Sequence, residues 1–203
     1  IGDPSMFLAL PDHSIKIIDI KTANGSDTLK ALSTVIAKGQ ILDPQGSFAG
    51  SFNGIAEATL YDKKADLVTI GKNDPPFQYQ QWNNAVFRGK ATVTNGEFEF
   101  IFLMPKDIVS EINEGKFSLY AFDGTKGVDA KGVDTDVSIG GIETNVADDS
   151  TAPTIRLFMG DTTFVDGGIT ASDTYLVAKL HDDSGINISG YDTTNSIIAT
   201  LDD

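Results

Sequence analysis

The feature that most constrains the fold is a strict alternation of side chains in residues 97–104. One face of this segment carries aromatic or thioether side chains: Phe98, Phe100, Phe102 and Met104. The other face begins with Glu97 and Glu99. A period of two residues is typical of a β-strand with one buried face. The aromatic face is therefore predicted to lie against the core.

Asn95-Gly96 separates this strand from strand-like residues 86–94. Asn and Gly best tolerate the positive φ that a type I′ turn requires at both central positions. The sequence therefore predicts a β-hairpin over residues 86–104. Pro105 has no backbone N–H and is expected to end the second strand. A single helical turn is predicted for residues 106–113.

Further strand-like segments recur along the chain between turns rich in Gly, Asn, Asp and Pro. They are residues 15–20, 32–42, 55–61, 115–124, 133–139, 155–159, 174–180 and 196–201. In the segment 115–124, Phe117, Leu119 and Ala121 share one face. Many short strands with little helical periodicity are typical of a β-sandwich. We therefore expect an all-β fold, with an immunoglobulin-like β-sandwich.

A change in composition marks a predicted domain boundary. Residues 140–155 are polar and acidic and contain a proline, as linkers often are. Three strand-like segments follow, too few for a sandwich of about seven strands. We predict an immunoglobulin-like β-sandwich at residues 1–145 and a partial, truncated second β domain at residues 146–203. Both ends of the chain are expected to be cuts from a longer polypeptide.

The composition argues against several classes of protein. Lys and Arg number 15 against 29 Asp and Glu, which gives a formal net charge of −14. Such a surface repels phosphate backbones, so no nucleic acid is expected as a partner. The chain has no cysteine, which excludes disulfides, thiolate zinc sites and a cysteine nucleophile within it. No apolar run approaches the roughly 20 residues of a membrane span, so no transmembrane segment is expected.

Acidic residues concentrate in two turn-rich segments, residues 123–136 and 181–187. The weak candidate metal ligands in them are Asp123, Asp129, Asp134, Asp136, Asp182 and Asp183. Calcium takes several carboxylate and carbonyl oxygens, so it is the candidate ion. The spacing of an EF-hand loop is absent, and solvated turns explain the same residues. Apart from calcium, no cofactor is expected.

Aromatic residues stand among amides in residues 74–87. Phe77, Tyr79 and Trp82 are the candidate ligand-binding residues. Aromatic rings with a few polar groups are typical of ligand sites, and ring faces pack on the C–H groups of sugars. A long loop packed over the edge of a sandwich has the same composition. A carbohydrate-binding or adhesin module of a bacterial surface protein is therefore an alternative function.

Catalytic motifs are lacking. His13 and His181 are the two histidines, and neither lies near a Ser in a nucleophile motif. The G-x-S-x-G pattern of a nucleophile elbow does not occur. No catalytic residue is predicted in this chain.

Several long segments resemble one peptidase family. Residues 2–11, GDPSMFLALP, are similar to the segment that closes the catalytic domain of gingipain-type (C25) cysteine peptidases. Residues 27–46 resemble the β-sandwich that follows this domain. Residues 83–108, 115–123 and 182–187 resemble the downstream region of one branch, the sortases of the bacterial type IX secretion system.

The resemblance implies a parent protein at the bacterial cell surface, on the extracellular side of the outer membrane. Members of this branch remove the C-terminal sorting domain of exported cargo, and their catalytic His and Cys would precede Ile1. The present chain would be a non-catalytic region after the catalytic domain, and not an enzyme by itself. The implied partners are other domains of the same polypeptide and secreted cargo or secretion-system proteins.

Overall fold

The computed structural model describes residues 10–72, 74–144, 151–182, 185–186 and 197–200. These residues contain strands and no helix. The strands are β1 (His13–Thr22), β2 (Thr28–Ala31), β3 (Thr34–Leu42), β4 (Gly54–Tyr61), β5 (Ala65–Val68), β6 (Gln78–Gln81), β7 (Ala85–Val93), β8 (Glu97–Leu103), β9 (Asn113–Asp123), β10 (Val128–Ile142), β11 (Thr154–Met159) and β12 (Leu176–His181).

The chain divides into two compact units. The first comprises Ile1–Val146 and Ile188–Asp203 and contains β1 to β10; the second comprises Ala147–Asn187 and contains β11 and β12. The predicted boundary at residues 145/146 falls outside the described residues and stays a prediction.

The first unit is built on one eight-stranded sheet that curls on itself. The strand order is β7-β4-β9-β10-β1-β3-β8, and β2 pairs with β10 off this path. The two end strands of the path, β7 and β8, are consecutive in the chain, so the sheet is nearly closed. This architecture confirms the predicted all-β, β-sandwich-like fold.

The core lies on the inner face of the curled sheet. Phe98, Phe100 and Phe102 of β8 are buried there, as the alternation in the sequence predicts. The ring of Phe100 meets the fully buried ring of Phe117 of β9 edge to face, with centroids 6.1 Å apart. Burial of each large apolar side chain contributes about 1.5–3 kcal/mol. The aromatic face of β8 is therefore a main source of the stability of this unit.

The predicted turn at Asn95-Gly96 is confirmed, whereas the predicted hairpin ladder is wrong. Asn95 has φ of 51° and Gly96 has φ of 80°, as a type I′ turn requires. The backbones of the two segments pair only at the isolated bridge between Thr94 and Glu97, which flanks the turn. β7 pairs with β4 and β8 pairs with β3 instead. Alternation specifies which face of a strand is buried, but it does not specify the neighbouring strand.

β10 joins the two halves of the sheet. It has 15 residues, far more than the predicted segment 133–139, and pairs with β9 from Val128 to Ile139. Its start also pairs in parallel with β1, where His13 faces Ala130. Its end pairs in parallel with β2, where Thr28 faces Ser138. A register shift between Asp134 and Val137 interrupts the ladder with β9, as a β-bulge does.

Two other sequence-based expectations are wrong. Residues 106–112 form turns, bends and irregular backbone rather than a helical turn, Asn113 already begins β9, and Ile108 is buried against the core. The predicted strand at 196–201 is not formed by residues 197–200; residues 196 and 201 lie outside the described ranges. In addition, β5 and β6 pair as a two-stranded sheet that the sequence did not predict.

The second unit contains an antiparallel pair of strands. β11 and β12 run in register from the pair Thr154–His181 to the pair Met159–Leu176. Both strands were predicted from the sequence, with bounds shifted by one or two residues.

Candidate functional site

The first candidate segment begins at Asp123, which ends β9 and is buried. Its carboxylate accepts backbone hydrogen bonds from Asn53 at 3.1 Å, from Thr125 at 3.0 Å and from Lys126 at 3.2 Å. The bond from the Asn53 amide is the largest cause that lowers the pKa of Asp123, and those from Lys126 and Thr125 add to it. Asp123 therefore ties the β9–β10 turn to the loop before β4.

The other acidic residues of this segment are distributed along β10. Oδ2 of Asp129 accepts a hydrogen bond from the hydroxyl of Tyr120 at 3.1 Å. Oδ1 of Asp134 accepts one from the backbone N–H of Asp136 at 3.0 Å. The structure therefore uses these carboxylates in separate local contacts.

No group of three or more His, Cys, Asp or Glu side chains is placed to hold a metal ion in the part of the chain that the structure describes. Asp182 follows β12, and Asp183 lies outside the described residues. Calcium binding by the predicted aspartates therefore stays a prediction.

The second candidate segment forms a ribbon of β5 and β6. The strands are antiparallel, with Leu67 opposite Tyr79, and the ribbon is extended where the amide of Phe77 donates to Oγ1 of Thr69 at 2.9 Å. Phe77 is 68% exposed and Tyr79 is 39% exposed. Tyr79 lies on β6, and Phe77 lies just before this strand, in the extension that contacts Thr69.

Trp82 lies just beyond β6 and has different surroundings. Nζ of Lys64 is 4.3 Å from the centroid of its ring, and Nζ of Lys116 is 5.2 Å from it. Lys116 also lies 4.6 Å from the centroid of the Tyr61 ring. Such cation–π contacts contribute about 0.5–2 kcal/mol each. The ring of Trp82 thus packs against lysines at the base of the ribbon, apart from the exposed Phe77 and Tyr79. Carbohydrate binding by these three aromatics stays a prediction.

A third set of exposed apolar residues lies on the outer face of the sheet, where sequence reasoning assigned no site. Ile55 of β4 is paired with Phe122 of β9, and Glu57 is paired with Tyr120. Ile55, Tyr120 and Phe122 are all exposed. The signal was present in the alternation of residues 115–124, because inward Leu119 and Ala121 imply that Tyr120 and Phe122 point outward.

A hollow of about 400 Å³ lies at this position. Its lining residues are Asn53, Gly54, Ile55, Glu57, Tyr120, Phe122, Gly124 and Thr125. The two glycines leave the space beside Phe122 open. A Cβ at Gly54 would lie 2.0 Å from the backbone oxygen of Phe122, whereas a Cβ at Gly124 would meet the ring of Phe122 at 3.4 Å.

The polar groups at the hollow have defined partners. Oε1 of Glu57 lies 2.5 Å from Nζ of Lys90 on β7. Desolvation raises the pKa of Tyr120, and its hydrogen bond to Asp129 raises it further, so the phenol is protonated at neutral pH. The hollow therefore offers aromatic rings, one carboxylate and hydroxyl groups.

Within the described ranges, no helix has the length and apolar character needed to cross a membrane. The fold and these surfaces define a β-sandwich-like module with exposed aromatic side chains. No protein-family model matches the chain, and no curated protein matches it.

Among solved structures, the chain is similar to the crystal structure of dimeric latent PorU from Porphyromonas gingivalis. The TM-score is 0.66 and the sequence identity is 30% over 90% of the present chain. The match spans 18% of the PorU chain. The chain is therefore related to a segment of PorU-like proteins.

Proposed function

We propose that the chain is a non-catalytic β-sandwich module of a type IX secretion sortase of the C25 cysteine peptidase family, where it serves as a spacer or a docking surface. The observation that carries this proposal is the similarity to a segment of PorU along 90% of the chain. A likeness at 30% identity with a TM-score of 0.66 supports common ancestry as well as a common fold.

The composition supports a non-catalytic role. The nucleophile of a gingipain-type peptidase is a cysteine, and this chain contains none. The catalytic His and Cys of the parent protein are then supplied by another part of its polypeptide. The module acts at the bacterial cell surface, on the extracellular side of the outer membrane.

The exposed ribbon of β5 and β6 favours a role as a docking surface rather than as a spacer alone. Phe77, just before β6, and Tyr79, on β6, both expose aromatic rings to water. Aromatic residues are more frequent at protein–protein interfaces than on the rest of the protein surface. The partners proposed for this surface are other domains of the parent polypeptide, secreted cargo or secretion-system proteins.

The first test separates a module from an enzyme. The purified chain is incubated with peptides that contain Arg or Lys, beside the parent protein produced from its complete gene. We expect cleavage by the parent protein only, and the gene should encode a His and a later Cys upstream of Ile1. Hydrolysis by the purified chain, or the absence of this pair from the gene, would contradict the proposal.

The second test separates docking from spacing. Phe77→Ser with Tyr79→Ser is introduced into the parent gene, and retention of C-terminal sorting domains on secreted cargo is measured. Docking predicts that cargo accumulates unprocessed, whereas a spacer tolerates the change. Gln78→Ser, which alters the opposite face of β6, is the matched control and should leave processing unchanged.

A further inference from the structure

We propose that the outer face of β4 and β9 is a carbohydrate-binding site, centred on the hollow beside Phe122. This site is distinct from the β5–β6 ribbon and does not depend on the proposed role in secretion. Its ligand is a neutral sugar unit of an oligosaccharide or polysaccharide.

The apolar part of the site fits the faces of a sugar ring. Tyr120 and Phe122 lie on the same side of β9, two residues apart, so their Cα atoms are separated by about 7 Å. Ile55 adds an aliphatic surface across from Phe122. The C–H faces of a pyranose ring need such flat apolar surfaces, and β9 holds both rings on a paired strand between β4 and β10. The platform is therefore rigid before a ligand arrives.

The polar part of the site fits hydroxyl groups. Oε1 of Glu57 contacts Lys90, which leaves the second carboxylate oxygen as an acceptor. The Tyr120 hydroxyl donates its hydrogen to Asp129, and its oxygen can still accept a hydrogen bond. Thr125 brings a hydroxyl that both donates and accepts. Sugar hydroxyls also donate and accept, so they can satisfy all three groups.

Other classes of ligand match this set less well. A purely apolar side chain of a protein partner would cover the Glu57 carboxylate without replacing its hydrogen bonds to water, which is costly. A phosphate, a sulfate or a cation would find no excess of opposite charge, because Glu57 and Asp129 are balanced by Lys90 and by Lys131, which lies opposite Tyr120 on β10. An uncharged, hydroxyl-rich ligand fits this balance of charges.

The dimensions agree with a small ligand. The hollow is shallow and open, with a volume of about 400 Å³, so it would cover one face of a small ligand and leave the rest in water. Because the hollow opens on the outer face of a sheet, a longer glycan can extend beyond it along the strands. We therefore expect one or two sugar rings to make the principal contacts.

The test is retention of the purified chain on a glycan array and in gels that contain soluble polysaccharides. The wild-type chain should be retained by at least one glycan. Phe122→Ala should weaken retention at least about tenfold, and Thr125→Val should weaken it less. Tyr175→Ala is the matched control, since it removes an exposed aromatic ring that belongs to none of the candidate sites and should leave retention unchanged.

A milder variant protects the test against misfolding. Gly124→Ala places a methyl group in contact with the Phe122 ring and narrows the hollow, and Gly124 does not have a positive φ. We expect a stable protein with weakened retention. The proposal is overturned if the wild-type chain binds no glycan. It is also overturned if Gly124→Ala and Phe122→Ala both bind the glycan as tightly as the wild-type chain.

Discussion

The ring of Phe87 on β7 stacks face to face on the ring of Phe102 on β8, with centroids 3.8 Å apart and planes inclined by 8°. These strands are the two ends of the curled sheet and share one backbone bridge, at Thr94 and Glu97. Side-chain packing therefore closes the sheet where main-chain hydrogen bonds do not.

Replacement of Phe102 should test this closure. Phe102→Ala removes a buried ring and its stacking contact with Phe87, and we expect the free energy of unfolding to fall by about 3–5 kcal/mol. Ile101→Ala is the matched control, because Ile101 is 63% exposed on the opposite face of β8 and should cost about 1 kcal/mol or less. Urea unfolding, followed by the fluorescence of the single tryptophan, measures both. Equal losses for the two variants would refute closure by side-chain packing.

A side chain at the second position of the turn between β7 and β8 should destabilise the protein. Gly96 has a positive φ, and a Cβ would lie 2.6 Å from the backbone oxygen of Ala49. Gly127 also has a positive φ, but a Cβ there meets nothing within 4 Å. Gly127→Ala should therefore reduce the free energy of unfolding by about 1–2 kcal/mol, the cost of a left-handed backbone for a residue with a Cβ. Gly96→Ala should reduce the free energy of unfolding by about 1–3 kcal/mol more than Gly127→Ala, because the backbone must also shift. Thermal melts of both variants give the comparison, and a smaller loss for Gly96→Ala would contradict it.

The Asp123 carboxylate should make stability depend on pH in the acidic range. Its pKa is lowered in the folded protein by backbone hydrogen bonds, first from Asn53. Because the pKa is lower in the folded state, the ionised carboxylate stabilises the fold fully at a pH above its unfolded pKa of about 3.9. This stabilisation is lost as the pH falls through the folded pKa. Asp123→Asn should lower the melting temperature at pH 7, and its difference from wild type should shrink below about pH 4. A difference that is constant from pH 7 to pH 3 would show that the charge is not responsible.

A buried ion pair should be more sensitive to substitution than an exposed one. Nζ of Lys63 lies 2.8 Å from Oδ1 of Asp62 and also donates to the carbonyl oxygens of Val109 and Ile139, and its side chain is 11% exposed. Removing one partner of a buried pair costs about 3–5 kcal/mol. We therefore expect a loss of this size for Lys63→Met.

The matched control for this pair is Lys38→Met. It breaks the exposed contact between Lys38 and Glu99, at 3.3 Å, and should cost about 1 kcal/mol or less. Chemical unfolding at pH 7 and fixed ionic strength compares the two variants. Comparable losses would mean that the contacts of Lys63 contribute no more than a surface pair.

The sequence predicted those features that depend on local chemistry. The period-two pattern of Phe98, Phe100 and Phe102 placed the core face of β8 correctly, because side chains alternate on any strand. Asn95-Gly96 specified its turn because few residues adopt positive φ at adjacent positions. The class of fold followed from many such segments.

The partner of each strand could not be predicted in this way. Pairing of β7 with β4 and of β8 with β3 depends on contacts between distant residues, which a local pattern does not encode. β5 and β6 were missed because β6 is rich in Gln and exposed throughout, so it lacks alternation. The outer surface at Tyr120 and Phe122 could not be assigned a site from the sequence, because the alternation of β9 identifies its buried face and gives no function to the exposed one.

The position of β10 in the chain has a consequence for how this protein is made. Residue 13 pairs with residue 130, and residue 28 pairs with residue 138. β1 and β2 therefore cannot complete their pairing until β10 has been synthesised. During vectorial synthesis or export, β1 and β2 emerge with unpaired backbone edges before β10, the strand that pairs with them, has been made. Long-range pairing of this kind folds slowly and leaves aggregation-prone edges in the meantime. A nascent chain that stops short of β10 is thus a natural substrate for a holding chaperone.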